Sequence, residues 1–517
     1  MNRGKARTVI QLALGLLALI AIGLSLVKLH AAGTGVAVEA TTIGDTPATI
    51  FRPDGKPLGP VVVVAHGFAG SQQLMQSFAL AFARNGYVAV TFDFLGHGRN
   101  PKPLGGSITE EDGATQALVN ETAEIASFAR RLGDGRLAVL GHSMASDIVV
   151  RFAEETPDVA ATIAVSMFSP VVTATEPKNL LVVVGDWEGM LKREALRVAG
   201  LVSAPEVPQP GVTYGDFTAG TARRAAVSPN VEHASVLFSQ ASLREAVGWL
   251  DQAFHVERDR PVTIVARGPW IMLLIAGCVL LARQLAPLLP RVTSSPAGAG
   301  LGWRRLWMPL LLPMVVTPFL LRVLPTHFLP VLVGDYLAVH FLAYGLLTGL
   351  CLLFIRRGEP RSAWRPRLAF PKPAVLATAT VAVLAFYFVA LVWPIDGYVT
   401  SFMPTPARAA LILAMLVGTL AYFLADEWAT RGDGAARFAF AASKLAFVVS
   451  LALAVTLDFE RLFFLIIIVP VIALFFLIFG AFSAWTYRAT GHPVVGALAN
   501  AIAFAWAIGV TFPLLAG

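Results

Sequence analysis

Apolar positions follow two different patterns along the chain. From Thr8 to Val27, and repeatedly from residue 268 to the carboxyl end, they run almost unbroken for about 20 residues, the length an α-helix needs to cross hydrocarbon. The spans expected after the first are 268–286, 306–324, 331–355, 374–394, 408–425, 438–456, 462–485 and 493–515, about nine helices in all. The Pro-rich stretch 306–334 is open to a kinked or re-entrant path. Between the first run and the second the pattern changes. Short β-branched runs, VVVVA (61–65), YVAVTFD (87–93), RLAVLG (136–141), ATIAVS (161–166) and NLLVVVG (179–185), alternate with amphipathic stretches near 71–84, 113–131 and 145–155. Continuous apolar strands with helices between them predict a mostly parallel sheet covered on both faces. The chain therefore reads as an amino-terminal signal anchor (1–30), a mixed region (31–262) and a membrane region of about eight helices (263–517).

Composition supports this division. Of 517 residues 56% are hydrophobic and only 14% charged, too apolar for a soluble protein. The charge is unevenly placed: residues 31–262 hold 18 Lys/Arg against 25 Asp/Glu, a net −7, and the remainder is +14. The basic residues sit in short connections between apolar runs, where membrane orientation explains them and nucleic-acid binding is not implied. Alternate connections carry them: Arg3, Lys5 and Arg7; then Arg283, Arg291, Arg304 and Arg305; then Arg356, Arg357, Arg361, Arg365, Arg367 and Lys372; then Arg431 and Arg437; then Arg488. The other connections hold little beyond Arg322, Arg408 and Arg461, so the positive-inside rule puts residues 31–262 outside the cytoplasm, in an integral protein of a plasma or inner membrane. Both cysteines, Cys278 and Cys351, fall in apolar runs, so no disulfide framework is implied.

Within the mixed region the unusual residues gather after the predicted strands, where a doubly wound sheet places its chemistry. Ala65-His66-Gly67-Phe68 follows one run, Asp93-Phe94-Leu95-Gly96-His97-Gly98 the next, and Gly141-His142-Ser143-Met144-Ala145 the third. Together, over residues 45–255, these motifs resemble the α/β-hydrolase superfamily of serine esterases, lipases and peptidases. The resemblance implies a nucleophile elbow at Ser143, with Ala145 standing where the family commonly has glycine. It also implies an acid and then a histidine later in the chain. Glu188 is the expected acid, with Asp186 the alternative and Asp216 a more distant one, and His233, just before an amphipathic helix, is the expected base. Backbone N–H groups of Phe68 and Met144 would form the oxyanion hole. His66, Gly67, Asp93, Gly96, His97 and Gly98 would shape the turns. Met190–Asn230 is long, and its segment GVTYGDFTAGTARRAAVSP could form a hairpin over the pocket.

A second resemblance lies in the membrane region. DEWATRG (426–432) resembles, in degenerate form, the E-E-x-x-x-R-G motif of CAAX-type intramembrane proteases, and YRATGHPVVGALAN their later segment. Two departures stand out: no histidine lies between Lys444 and Arg488, and Asn500 stands where the last histidine would be. Glu427 and Arg431 then read as a structural ion pair, and the polar residues Asp335, His340 and Lys444 as helix-to-helix hydrogen-bonding groups. The expected function is a membrane-anchored serine hydrolase cleaving an ester, thioester or small amide, with a small-molecule or lipid-like acyl substrate, membrane lipid around it and no cofactor. The alternatives are a transporter or assembly protein whose hydrolase-like region only binds, and an intramembrane protease. Neither a metal motif such as H-E-x-x-H nor a dinucleotide fingerprint occurs.

Overall fold

A computed structural model describes residues 3–55, 58–107, 111–358 and 372–516. Arg361, Arg365 and Arg367 of the basic loop lie outside the described residues, as do the side chains of Arg3, Lys5 and Arg7. The chain forms two compact units. One comprises residues 23–274, 394–402 and 513–517; the other comprises residues 1–22, 275–393 and 403–512.

The first unit is built on a nine-stranded sheet of order β1-β2-β4-β3-β5-β6-β7-β9-β8. Its strands are β1 (Val36–Ile43), β2 (Thr46–Pro53), β3 (Val61–Ala65), β4 (Val88–Phe92), β5 (Leu137–His142), β6 (Val159–Val165), β7 (Leu180–Gly185), β8 (Thr213–Tyr214) and β9 (Arg223–Ser228). The six strands from β4 to β9 are parallel, and β1, β2 and β8 close the edges antiparallel. Residues 61–64 of β3 are all valine and none is exposed. Each such burial contributes roughly 1.5–3 kcal/mol, and a strand apolar on both faces is stable only between helical layers. Those layers are present. The long α1 (Arg3–Ala31) precedes the sheet; α2 (Gln76–Arg84) packs with α6 (Gln240–Ala253) on one face, while α3 (Gln116–Arg130), α4 (Met144–Glu155) and α5 (Gly189–Ser203) cover the other. The hairpin expected over the pocket forms instead at the sheet edge, where Thr213 pairs with Arg224 and Tyr214 with Arg223. Parallel connections leave β3 in opposite directions, to β4 and to β5, so the sheet switches direction between β3 and β5.

The second unit is helical: α7 (Gly268–Leu285), α8 (Trp303–Val323), α9 (Gly334–Arg357), α10 (Pro373–Tyr387), α11 (Trp393–Tyr398), α12 (Pro406–Thr430), α13 (Ala439–Leu457), α14 (Phe459–Leu462), α15 (Leu465–Thr490) and α16 (Pro493–Thr511), some of which run into the first unit. Among the described residues nine helices are long and apolar enough to cross a membrane, α10 and α11 counting as one through a π-type turn at Phe388–Val392. This is the architecture of a multi-pass membrane protein. Of the Pro-rich stretch 306–334, residues 306–323 lie in one helix, α8, with Pro309, Pro313 and Pro318 inside it, and 324–333 form a non-helical connection to α9. Small residues set the packing: a Cβ on Gly418 would meet the Ala338 carbonyl oxygen at 2.1 Å, and one on Gly345 the Ala421 carbonyl carbon at 2.4 Å. Without a hydrophobic drive between helices in lipid, such close approach is what holds α12 to α9.

Candidate active site

The switch point between β3 and β5 is where two loops can face each other across the strand ends, and the residues there take up unusual backbone. Ser143 leaves β5 at φ +55°, ψ −121°, a region that side-chain-bearing residues occupy only under constraint. Two contacts supply that constraint. A Cβ on Gly141 would lie 2.1 Å from the Ala145 carbonyl oxygen, so only glycine lets α4 turn back over β5; Ala145, on the far side, is fully buried in the core. The alanine therefore costs the elbow nothing, because its methyl packs inward. The Ser143 N–H donates to the Val165 carbonyl at 2.8 Å, tying the turn to β6.

From Ser143 a chain of hydrogen bonds runs across the strand ends. Its Oγ lies 2.9 Å from Nε2 of His233, and Nδ1 of His233 donates to Glu188 Oε1 at 2.6 Å. Glu188, on the turn after β7, is further held by the Gly185 N–H at 2.6 Å and the Ser166 hydroxyl at 2.8 Å, both on its other oxygen. Burial pushes its carboxyl up, but the bonds from His233, Gly185 and Ser166 outweigh this and hold it below the usual carboxylate range. Asp186, the alternative acid, pairs instead with Lys192 at 2.9 Å and is half exposed, and Asp216 accepts the Ala219 N–H in a surface turn.

The turn after β3 lies against the serine. A Cβ on Gly67 would stand 2.9 Å from both the His142 carbonyl oxygen and the Ser143 Cβ, so glycine is required there. Phe68 follows it, and Met144 is the first residue of α4, where N–H groups lack intrahelical acceptors. His66 and His142 are structural groups with both roles legible in their bonds. His66 donates from Nδ1 to the Gly67 carbonyl at 2.8 Å and accepts the Phe94 N–H at Nε2, 3.1 Å, joining this turn to the loop after β4. His142 donates from Nε2 to the His233 carbonyl at 3.0 Å, its ring 4.9 Å from that of His233. Burial lowers their pKa values to about 4 and about 3, so both are neutral imidazoles. Asp93, buried and pushed up by that burial, accepts the N–H groups of Gln72 and Arg99 and so braces the two loops together. The bonds made by Ser166 and His142 carry no sequence signal, since each residue merely flanks a strand end.

This arrangement defines an α/β hydrolase fold. Residues 56–203 match the family described as serine aminopeptidase, S33. Solved structures that resemble the chain include the protein TT1662 from Thermus thermophilus, at 16% identity over 43% of this chain and 99% of its own with a TM-score of 0.32. A dienelactone hydrolase from Anabaena variabilis aligns at 16% identity over 43% of this chain and all of its own, TM-score 0.29. A membrane phospholipase A described as a bacterial virulence factor aligns at 14% over 49% and 99%, TM-score 0.30. No curated protein matches the chain.

Proposed function

We propose that this protein is a membrane-anchored serine hydrolase that cleaves an acyl bond, an ester, thioester or small amide, through an acyl-enzyme. The observation that carries this reading is the unbroken Ser143–His233–Glu188 relay on a strained elbow. In the reaction His233 Nε2 takes the Ser143 proton as Oγ attacks the carbonyl carbon, and Glu188 holds the tautomer and stabilises the imidazolium. The oxyanion is met by the N–H groups of Phe68 and Met144. His233 returns the proton to the leaving group, and a water molecule, activated in the same way, releases the acid and regenerates Ser143.

The large apolar side chains Phe168, on the loop after β6, Trp187, on the turn after β7, and Met190, in the first turn of α5, stand 61%, 67% and 64% exposed. An apolar rim there supports an acyl group with a hydrocarbon chain, of the kind a neighbouring bilayer supplies. The distribution of arginines among the connections supports an extracytoplasmic position for the domain. Alkaline-phosphatase fusions at residue 262 report that side directly, because the enzyme needs disulfides that form only outside the cytoplasm; an inactive fusion there beside active fusions in the neighbouring connections would reverse it. The hydrolase reading itself is tested by a fluorophosphonate probe on the full chain. Covalent labelling that disappears in Ser143→Ala is the expected result, and an unlabelled wild-type protein would reduce the domain to a binding module.

A further inference from the structure

Two segments that the sequence pattern assigns to the membrane region belong to the compact hydrolase unit: Pro394–Phe402, which takes in the last turn of the fifth candidate span and the residues after it, and Pro513–Gly517, after the ninth. What they touch is specific. Ser401 donates its N–H to Ser71 Oγ at 2.7 Å and its hydroxyl to Gln73 Oε1 at 2.9 Å; Thr400 Oγ1 lies 3.0 Å from Ser71 Oγ, which itself donates to Gln73 Oε1 at 2.8 Å. Arg267 Nη2 links Gln76 Oε1 at 2.7 Å to the Tyr398 carbonyl at 3.4 Å. Asp396 accepts the Phe402 N–H at 2.8 Å and pairs with Arg99 at 2.6 Å. The tail pairs with the loop after β4: Leu514 N–H donates to the Gly96 carbonyl, and Leu104 N–H to the Leu514 carbonyl, at 2.9 and 2.8 Å.

Ser71, Gln73 and Ser401 are all buried, so these bonds have no water to replace them. Their position matters because of what precedes Ser71. The tight turn Gly67–Gly70, closed by a bond from Gly70 N–H to the Gly67 carbonyl, includes Ala69 at φ +55°. An alanine in that region persists only where the surroundings over-determine it. His66 fixes the entrance of the turn through Phe94; the exit, Ser71, is fixed by Thr400 and Ser401.

We propose that Asp396–Ser401 is a strap that positions the turn carrying Phe68 against Ser143, with Ser401 and its acceptor Ser71 as positioning residues of the hydrolase site. The inference rests on the serine-hydrolase reading, because the turn's work is to aim the Phe68 N–H at the oxyanion. A displaced donor costs transition-state stabilisation and leaves substrate binding nearly unchanged, which separates it from a packing role.

The experiment uses the full chain in detergent, with Ser401→Ala, Thr400→Val, Ser71→Ala and the Ser71→Ala/Ser401→Ala pair. Active molecules are counted by fluorophosphonate titration, and p-nitrophenyl butyrate supplies kcat and KM. We expect kcat per labelled site to fall about tenfold in Ser71→Ala with KM within about twofold, and the double variant to be no worse than Ser71→Ala. The labelling rate falls with kcat. Wild-type kcat and labelling rate in Ser71→Ala, Ser401→Ala and Thr400→Val, with or without a lowered Tm, would overturn the strap. A wild-type chain that takes no label overturns the hydrolase reading instead, so the two failures are distinguishable.

Discussion

Two clusters of buried polar side chains occupy the two units, and they are finished differently. In the hydrolase unit a Glu188 side chain 6% exposed meets a His233 side chain 36% exposed, which in turn meets the part-buried Ser143 hydroxyl. In the helical unit Asp426 is bonded by Lys444 and Ser443, and Glu427 by Arg431 and Ser483. The Lys444 ammonium is also enclosed by the rings of Tyr422, Phe423, Phe440 and Phe476, 4.4–5.4 Å from their centroids. Asp335 accepts the Phe328 and Tyr336 N–H groups, and His340 meets the Ser450 hydroxyl at 3.1 Å. An ordered relay that ends at a half-buried hydroxyl is poised to act on something outside itself. A cluster whose charges meet partners inside the bundle is a lock between α12, α13 and α15.

Removing the reactive end of the first cluster gives the largest effect. Ser143→Ala should lower kcat/KM by about 10⁴ or more while leaving the melting temperature almost unchanged, measured by ester hydrolysis and by thermal unfolding. The second cluster should respond in the opposite sense. Lys444→Met strands the Asp426 carboxylate in an apolar bundle and should cost about 3–5 kcal/mol of stability. The paired change Lys444→Met with Asp426→Leu should recover most of that loss, because neither charge is then left uncompensated. Turnover per labelled Ser143 should be unaffected in both. If the paired change instead abolishes turnover while the helices stay folded, the closed cluster takes part in chemistry and the contrast between the units fails.

The parts of the molecule that were legible from sequence are those written in local pattern. The five β-branched runs coincide with β3 to β7 to within a residue or two, because a strand buried on both faces has no polar positions to blur its edges. The edge strand β1 and its neighbour β2 are not among those runs, the alternation of β1 being weakened by exposed positions in VAVEATTI. β9 is foreseen only as part of a hairpin, and it lies within the sheet with Arg223 fully buried. Ser143, Glu188 and His233, singled out by motif order, fall within hydrogen-bond reach of one another, and Asp186 does not join them. The last apolar run, expected to 515, ends as helix at Thr511, and its final residues pair with Gly96 and Leu104. Contacts such as Ser401 to Ser71 span more than 300 residues and leave no trace in either segment.

Titration sharpens the contrast within the hydrolase unit itself. Three imidazoles stand close to Ser143, but His142 and His66 are lowered by burial to about 3 and about 4. As pH falls from 8 to 5 neither takes up a proton, so neither changes charge beside Ser143. Neither should therefore contribute a step to log kcat/KM against pH above pH 5, and any loss from their protonation should set in only near pH 4. A step above pH 5 that His142→Asn or His66→Asn removes would mean that a buried imidazole titrates there.

The smallest effect belongs to Ser166, which touches only the far oxygen of Glu188. Its hydroxyl at 2.8 Å shares Oε2 with the Gly185 N–H at 2.6 Å, while Oε1 is engaged by His233. Ser166→Ala thus removes one of three bonds to a carboxylate that remains buried and oriented by the other two. The expected loss is about threefold to tenfold in kcat, the worth of about one hydrogen bond to a charged group partly offset by its neighbour. KM should not move, because Ser166 acts on the imidazole through Glu188 and not on substrate. Weaker support raises the Glu188 carboxyl toward its ordinary value, so activity lost by protonating Glu188 should be lost at a higher pH in the variant. A loss as large as that of Ser143→Ala would mean that Glu188 depends on Ser166 for its position, and that the open relay is as tightly locked as the closed cluster.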